Sequence, residues 1–261
     1  MTAVAALEVH QFPCLSDNYA YLVRDPATGR TASIDSPDAT AIARELDARG
    51  WHLDFILNTH HHGDHAGGNL ALKSRYGCTV VAARDDAARI PGADVLVADG
   101  DSFDLGGQRA TVLATPGHTR AHICWWFADS GCVFVGDTLF AMGCGRLFEG
   151  TPPQMWQSLR RLMALPDDTR VYCAHEYTLS NGRFALTVEP DNAALRARVA
   201  AVTAARAEGQ PTVPTTIGAE RATNPFVRAD SAGIRAALGL DGAPDLEVFA
   251  ETRRRKDQFR G

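Results

Sequence analysis

The sequence predicts a mixed α/β fold, β-rich over its first two thirds and helical over its last third. Three observations carry this reading. Short apolar runs recur up to about residue 174, bounded by Gly, Pro and Asp turn signals. Segments with helical spacing of apolar residues lie between them. Past that point the strand signals fade and long amphipathic stretches take over.

The elements follow in order. Tyr19–Arg24 and Thr31–Asp35 flank the turn-rich Asp25-Pro26-Ala27-Thr28-Gly29-Arg30 and predict a hairpin. Ala39–Arg49 predicts a helix that stops before Gly50. Leu53–Thr59 is short and mostly apolar, as a buried strand requires. Further strands are expected at Thr79–Ala83, Gln108–Thr115, His122–Phe127 and Cys132–Gly136, the last two joined through Asp129-Ser130-Gly131. Pro153–Ala164 carries Met155, Leu159, Leu162 and Met163 at helical spacing with prolines near its first turn, and Arg170–Ala174 is one more strand. In the last third, Asp191–Arg206 puts Leu195, Val199 and Val202 on one helix face. Gly209 to Pro225 is rich in Pro, Thr and Gly and reads as a loop, and Ala243–Phe259 as a second long helix opened by Pro244. A soft boundary near residue 174 divides the chain into domains 1–174 and 175–261.

Composition narrows the function. A chain of 261 residues suits one large domain, or a large and a small one. The net charge of -5 gives no electrostatic basis for nucleic-acid binding, which favours clustered cations. No stretch approaches the roughly 18 apolar residues of a membrane helix. Met1 to His10 has neither a basic stretch nor a long apolar core, so no signal peptide is expected. Cys14, Cys78, Cys124, Cys132, Cys144 and Cys173 form no C-x-x-C pair and are too sparse for a disulfide framework. Reduced thiols, a cytoplasmic location and a monomer are the expectations.

The segment Thr59-His60-His61-His62-Gly63-Asp64-His65 holds four of the chain's nine histidines and grows directly out of a strand. On an extended chain His60 and His62 point the same way and His61 the opposite way. His60 and His62 can therefore reach one metal. The chain then bends at Gly63, so Asp64 and His65 can address a second. Imidazole and carboxylate donors suit zinc, and also iron or manganese. More ligands are needed to close two sites. Thr115-Pro116-Gly117-His118, Phe134-Val135-Gly136-Asp137 and Tyr172-Cys173-Ala174-His175 each end a strand with a candidate. Four strand ends thus offer His, Asp or both, the layout expected where loops above a sheet build one site.

The order T-H-x-H-x-D-H, P-G-H, G-D-T and a later His resembles the metallo-β-lactamase superfamily. That resemblance implies an αββα sandwich with a metal site at one edge. It assigns His60, His62 and His118 to one metal, Asp64, His65 and His175 to a second, and Asp137 as the bridge. His61 and His122 are left over, as structural residues or as support behind the ligands. Further segments resemble the glyoxalase II (hydroxyacylglutathione hydrolase) family: Leu15-Ser16-Asp17-Asn18-Tyr19, Gly143-Cys144-Gly145-Arg146-Leu147-Phe148-Glu149-Gly150-Thr151, His175-Glu176-Tyr177, Thr223-Asn224-Pro225-Phe226 and Arg253-Arg254-Arg255-Lys256-Asp257-Gln258-Phe259. The resemblance covers nearly the whole chain. It implies a smaller α-helical C-terminal domain that binds substrate, with Arg146, Phe148, Tyr177, Arg253 and Lys256 holding a glutathione thioester. Arg146 stands where well-known members have Lys, and Phe148 where some have Tyr. The first keeps the charge with a new geometry, and the second lacks a phenol hydrogen bond. Arg253 and Lys256 share a helix face, and Phe249 could anchor that face inward.

The implied reaction is metal-assisted hydrolysis of S-D-lactoylglutathione to glutathione and D-lactate, the second step of methylglyoxal detoxification. Two divalent ions, zinc first, would lower the pKa of a shared water and stabilise the oxyanion, with Asp64 orienting the attacking hydroxide. A thiolate leaves without a strong general acid. No G-x-S-x-G elbow is present for a serine nucleophile. Three rivals stand beside this reading. Another enzyme of the same fold (persulfide dioxygenase, lactonase or β-lactamase) is disfavoured by the motif together with the basic tail, a nuclease by net acidity, and a non-catalytic metal binder by the complete ligand set.

Overall fold

The computed structural model describes residues 6–261. The first five residues of the Met1–His10 segment, for which no signal peptide is expected, lie outside the described residues. Contacts gather the chain into two compact units.

The first unit takes in the described residues up to Ala114 together with Ala121–Gly136. It opens with β1 (Glu8–Cys14), β2 (Asn18–Arg24) and β3 (Thr31–Ile34), an antiparallel meander whose second turn is the expected hairpin. Helix α1 (Ala39–Arg49) has the expected bounds. Asp38 accepts from the backbone N–H groups of Thr40 and Ala41, and Gly50 closes the helix in the left-handed conformation at φ 62°. Then come β4 (Phe55–Leu57), the short helix α2 (Gly63–Ala66), α3 (Asn69–Tyr76), β5 (Thr79–Ala83) and β6 (Ala93–Val97). The six strands form one sheet in sequence order, parallel from β3 to β6. Strands β7 (Ser102–Leu105), β8 (Gln108–Ala114), β9 (Ile123–Phe127) and β10 (Cys132–Gly136) pair antiparallel in the order β10-β9-β8-β7.

Period-two alternation explains how these layers stack. Leu22, Ile56 and Val80 point to one face of the first sheet, where they pack with Ile42, Leu46 and Leu72 of α1 and α3. Each fully buried side chain of this kind contributes about 1.5–3 kcal/mol. Tyr21 and Phe55 point to the other face, where their rings meet Phe134 at 5.5 Å and Phe103 at 5.1 Å. The expected strand Leu53–Thr59 is ordered as β only over Phe55–Leu57, and its tail leads into the histidine segment.

The second unit comprises Thr115–Arg120 and Asp137–Gly261. It contains the ribbon of β11 (Leu139–Phe140) and β12 (Gly143–Cys144), then α4 (Pro152–Met163), β13 (Arg170–Cys173), α5 (Thr178–Val188) and α6 (Ala193–Ala207). The capping box of Thr151 and Gln154, with Pro152 in the first turn, starts α4. After these come β14 (Thr215–Thr216), α7 (Ile217–Thr223), α8 (Ala232–Leu238) and α9 (Asp245–Gln258). Phe249 is fully buried, with ring centroids 5.5 Å from Trp156 and 6.4 Å from Phe226, so it does anchor α9 inward.

One expectation is corrected. Gly209–Pro225 is not a continuous loop, because it contains β14 and α7. β14 pairs with β13, and the Thr216 hydroxyl accepts from the Ala219 N–H to start α7. Its Thr and Gly residues serve as cap and connector, which composition alone reads as loop. Residues 137–174, on the N-terminal side of the expected boundary, lie in the second compact unit. All six cysteines are buried and unbridged. Among the described residues no helix is long and apolar enough to cross a membrane.

Candidate active site

Within the first unit, β4 runs into Asn58-Thr59 and the histidines, and α2 begins at Gly63. His60 Nε2 lies 3.0 Å from His62 Nδ1. The alternation expected of an extended chain holds, since His61 turns away and its Nδ1 lies 3.1 Å from Asp86 Oδ2. Past the bend, Asp64 Oδ2 is 3.6 Å from His65 Nε2, and the His60 and His65 rings are 4.0 Å apart. Ligand atoms of His60 with His62, of His60 with His65, and of Asp64 with His65 all lie within 4.8 Å of each other. This is a His/Asp cluster of the kind that binds a divalent metal.

The hydrogen bonds behind this cluster fix the tautomers. Asp35, buried and held at φ 58°, accepts from the Thr59 N–H at 2.7 Å and from the Thr59 hydroxyl at 2.8 Å. The Thr59 hydroxyl hydrogen is thereby committed, so its oxygen accepts from His60 Nδ1 at 3.1 Å. His65 Nδ1 lies 2.8 Å from Asp35 Oδ2, and a carboxylate only accepts, so that nitrogen also carries the proton. Both imidazoles are left with Nε2 as the donor toward a cation, the arrangement that metal-ligating histidines adopt. Asn18 donates to Asp64 Oδ2 at 3.2 Å and sets that carboxylate's orientation. His122 is fully buried and stacks on His60 at 4.9 Å, which places it as support behind the ring.

Gly136 shows why β10 must end in glycine. Its φ is +46°, and a Cβ there would lie 2.6 Å from Thr59 Oγ1 and 2.7 Å from His122 Nε2. The chain can thus turn tightly into Asp137.

In the second unit, Asp137 lies between two histidines. Its Oδ2 is 3.3 Å from His118 Nε2 and its Oδ1 is 3.4 Å from His175 Nε2. His118 Nδ1 donates to the Arg146 carbonyl at 2.9 Å, which again leaves Nε2 for a cation. Gly117, before His118, has a φ of +150°, and a Cβ there would lie 2.9 Å from the Met155 Cα. His175 stacks flat on Tyr177 at 4.8 Å, and Phe140 meets both rings edge-on.

A cavity of about 410 Å³ opens beside these groups. His118, Asp137, Phe148 and Tyr177 line it together with Arg146, Arg253 and Lys256. Phe148 is 63% exposed and sets its edge against His118 at 5.2 Å. Lys256 Nζ donates to the carbonyl and the hydroxyl of Ser180, both at 3.2 Å, and lies over the Phe184 and Phe259 rings. Burial, followed by the charges of Arg253 and Arg146, lowers its pKa to about 8. Arg253 is only 5% exposed, donates to the Cys144 carbonyl at 2.8 Å, and pairs with Asp257 at 2.7 Å.

Comparisons with known proteins agree with this architecture. The model described as "Metallo-beta-lactamase superfamily" matches residues 17–175, and the one described as "Hydroxyacylglutathione hydrolase C-terminus" matches residues 176–259. The hydroxyacylglutathione hydrolase of Methylococcus capsulatus is 59% identical over 98% of this chain and 100% of its own length. The chain belongs to the hydroxyacylglutathione hydrolase family. Its fold is the metallo-β-lactamase fold followed by that family's helical C-terminal part. Among solved structures, ETHE1 from Myxococcus xanthus matches with a TM-score of 0.66 at 29% identity, covering 97% of this chain and 100% of that one. TTHA1623 in a di-iron-bound form matches with a TM-score of 0.60 at 25% identity, covering 84% of this chain and 99% of that one.

The sequence names every histidine of this site, together with Asp64, Asp137 and Asp257, but not Asp35 or Asp86. Asp35 reads as an ordinary strand end, and a buried aspartate at positive φ is visible only in three dimensions. Asn18 stands in the Leu15–Tyr19 motif, to which the sequence assigns no role. Ser180, which helps seat Lys256, carries no sequence signal of its own, and Phe259 stands in the tail motif without an assigned role.

Proposed function

We propose that this hydroxyacylglutathione hydrolase family member is a metal-dependent thioesterase. It cleaves S-D-lactoylglutathione to glutathione and D-lactate, the second step of methylglyoxal detoxification. The observation that carries the reading is the cavity in which Asp137 and His118 lie with three cationic side chains. Such a cavity fits a thioester whose glutathione part bears two carboxylates.

The donor set fits two divalent ions. His60, His62 and His118 would hold one, Asp64, His65 and His175 the other, and Asp137 would bridge. Zinc is the first expectation from these donors, with iron or manganese the alternatives. When bound, the ions supply Lewis acidity for water activation and for the developing oxyanion. The protein does the rest. Asp64, steadied by Asn18, orients the attacking water. Arg146, Lys256 and Arg253 hold the substrate carboxylates, while Tyr177 and Phe148 wall the cavity. The thiolate leaves as a weak base, so no side chain has to protonate it. Functionally, residues 1–174 form the catalytic domain and 175–261 the helical substrate-binding domain. The buried, unbridged thiols fit a cytoplasmic location, and a monomer is the simplest expectation.

The deciding experiment follows thioester loss spectrophotometrically with S-D-lactoylglutathione, alongside metal analysis. Metal-replete protein is expected to carry about two ions per chain and to hydrolyse the substrate. Inert metal-loaded protein would overturn the reading, and a plateau at one ion with full activity would overturn the two-metal assignment.

The lowered pKa of Lys256 sets a pH dependence. Its ammonium faces Arg253 and Asp257 on α9 and Arg146 on the loop after β12. Its pKa lies near 8 in the fold against an ordinary 10.5, so between these values the unfolded chain binds the extra proton. This group's contribution to stability therefore rises with pH across that window. Substrate binding has the opposite sense, because a carboxylate needs the cation. KM for the glutathione thioester is expected to be flat below about pH 8 and to climb above it. Lys256→Arg should flatten the climb, since a guanidinium stays charged. A climb that persists unchanged in Lys256→Arg would assign the titration elsewhere.

A further inference from the structure

The ribbon of β11 and β12 supplies Phe140 and Cys144 to the substrate cavity, yet four residues with this tight a turn cannot hold themselves in place. Met142 sits at the turn with φ 56°, a left-handed conformation that is costly for a residue with a Cβ. Side chains from elsewhere tie four carbonyls and one N–H of the ribbon. Asn224 donates to the carbonyls of Phe140 and Gly143 at 3.2 and 2.9 Å, Asn181 to that of Ala141 at 3.2 Å, and Arg253 to that of Cys144 at 2.8 Å. The Met142 N–H donates to Glu220 Oε2 at 2.9 Å.

Glu220, on α7, is fully buried. Its Oε2 also accepts from Asn224 Nδ2 at 2.9 Å, while its Oε1 accepts from Arg198 at 2.7 Å and from the Thr215 hydroxyl at 2.6 Å. One carboxylate thus receives four hydrogen bonds. It holds the strained Met142 directly and the ribbon's carbonyls through Asn224. Arg198, reaching from α6, neutralises it, so a buried charge is tolerable. The Met142 side chain is fully buried with Ala185 and Leu195, which locks the turn from its other side.

We propose that Glu220 is a positioning residue for substrate binding, setting the shape of the cavity by pinning the β11–β12 turn at Met142. The inference rests on the thioesterase reading above and adds to it a determinant outside the cavity wall. The Thr223-Asn224-Pro225-Phe226 segment acquires a role through the same device, since Asn224 is the intermediary between α7 and the ribbon. Loss of the tie lets the turn relax from its left-handed conformation. Phe140 then shifts against Tyr177, and the Cys144 carbonyl moves away from Arg253.

Two variants separate positioning from charge. Glu220→Gln keeps the length but places an amide where one oxygen met Arg198 and Thr215. Glu220→Asp keeps the charge beside Arg198 but withdraws the carboxylate from the Met142 N–H. Both are assayed metal-loaded, well below their melting temperatures, on lactoylglutathione and on a short thioester lacking glutathione. The expected result is a KM for lactoylglutathione raised about tenfold in each variant, with metal content kept. The kcat/KM for the short thioester should stay within about twofold of wild type. An unchanged KM in Glu220→Asp would overturn the proposal, and so would equal losses on both substrates. If Glu220→Gln does not fold, Glu220→Asp decides alone. Failure of the wild type to cleave lactoylglutathione would instead strike the thioesterase reading, so the two are distinguishable.

Discussion

Asp137→Asn is expected to strip the protein of metal and to lower turnover by more than about 100-fold, with the fold kept. The geometry behind this is the even approach of its two oxygens, 3.3 Å to His118 and 3.4 Å to His175. In the proposed site Asp137 would help hold both ions. An amide offers one weak oxygen donor, and its other end turns N–H groups toward a cation. The substitution is nearly isosteric, so the tight turn that Gly136 makes into this position should survive. Elemental analysis, steady-state rates and a melting curve measured together decide the matter. If Asp137 only capped a turn, the Asn variant would hold its metal and keep a near-normal rate, and that result would refute the bridging assignment.

Lys256→Ala should raise KM for the glutathione thioester by about one to two decades while kcat changes little. A charge-assisted contact to a carboxylate, partly removed from water, contributes roughly 1.5–3 kcal/mol, and each 1.4 kcal/mol is a decade. An interaction equally strong in ground and transition state moves KM and leaves kcat alone. A small thioester without the glutathione carboxylates should feel the change much less, and added salt should weaken wild-type binding more than that of the variant. Arg253→Ala should behave differently. Its guanidinium is buried and ties α9 to the Cys144 carbonyl, so this variant is expected to lose thermal stability along with substrate affinity. A fall in kcat at constant KM for Lys256→Ala, or equal losses on both substrates, would mean that Lys256 supports the fold or the metal ligands instead.

The contrast between these two cations marks where sequence reasoning stops. Helical spacing put Arg253 and Lys256 on one face of α9, and the structure agrees. Spacing could not show that Arg253 finds its carbonyl partner 109 residues away. It also could not show that Lys256 would be walled by Phe184 and Phe259, with the lowered pKa that follows.

What the sequence determined by itself was local chemistry. Alternation along a strand end separates His60 and His62 from His61, and this follows from backbone geometry within three residues. Asp38 and Gly50 bound α1 because a cap and a left-handed stop are properties of single positions. The candidate ligands were legible for the same reason, since each sits beside a glycine, a turn or a strand end that the chain itself encodes. Tertiary structure alone decided what stands behind those groups. Asp35 meets Thr59 and His65 from 24 and 30 residues away, and its positive φ exists only because the surrounding packing imposes it. Glu220 reaches Met142 across 78 residues, through a segment whose composition reads as loop. Such pairings depend on which elements pack together, and a hydrogen bond between distant residues leaves no periodicity in the sequence from which to read it.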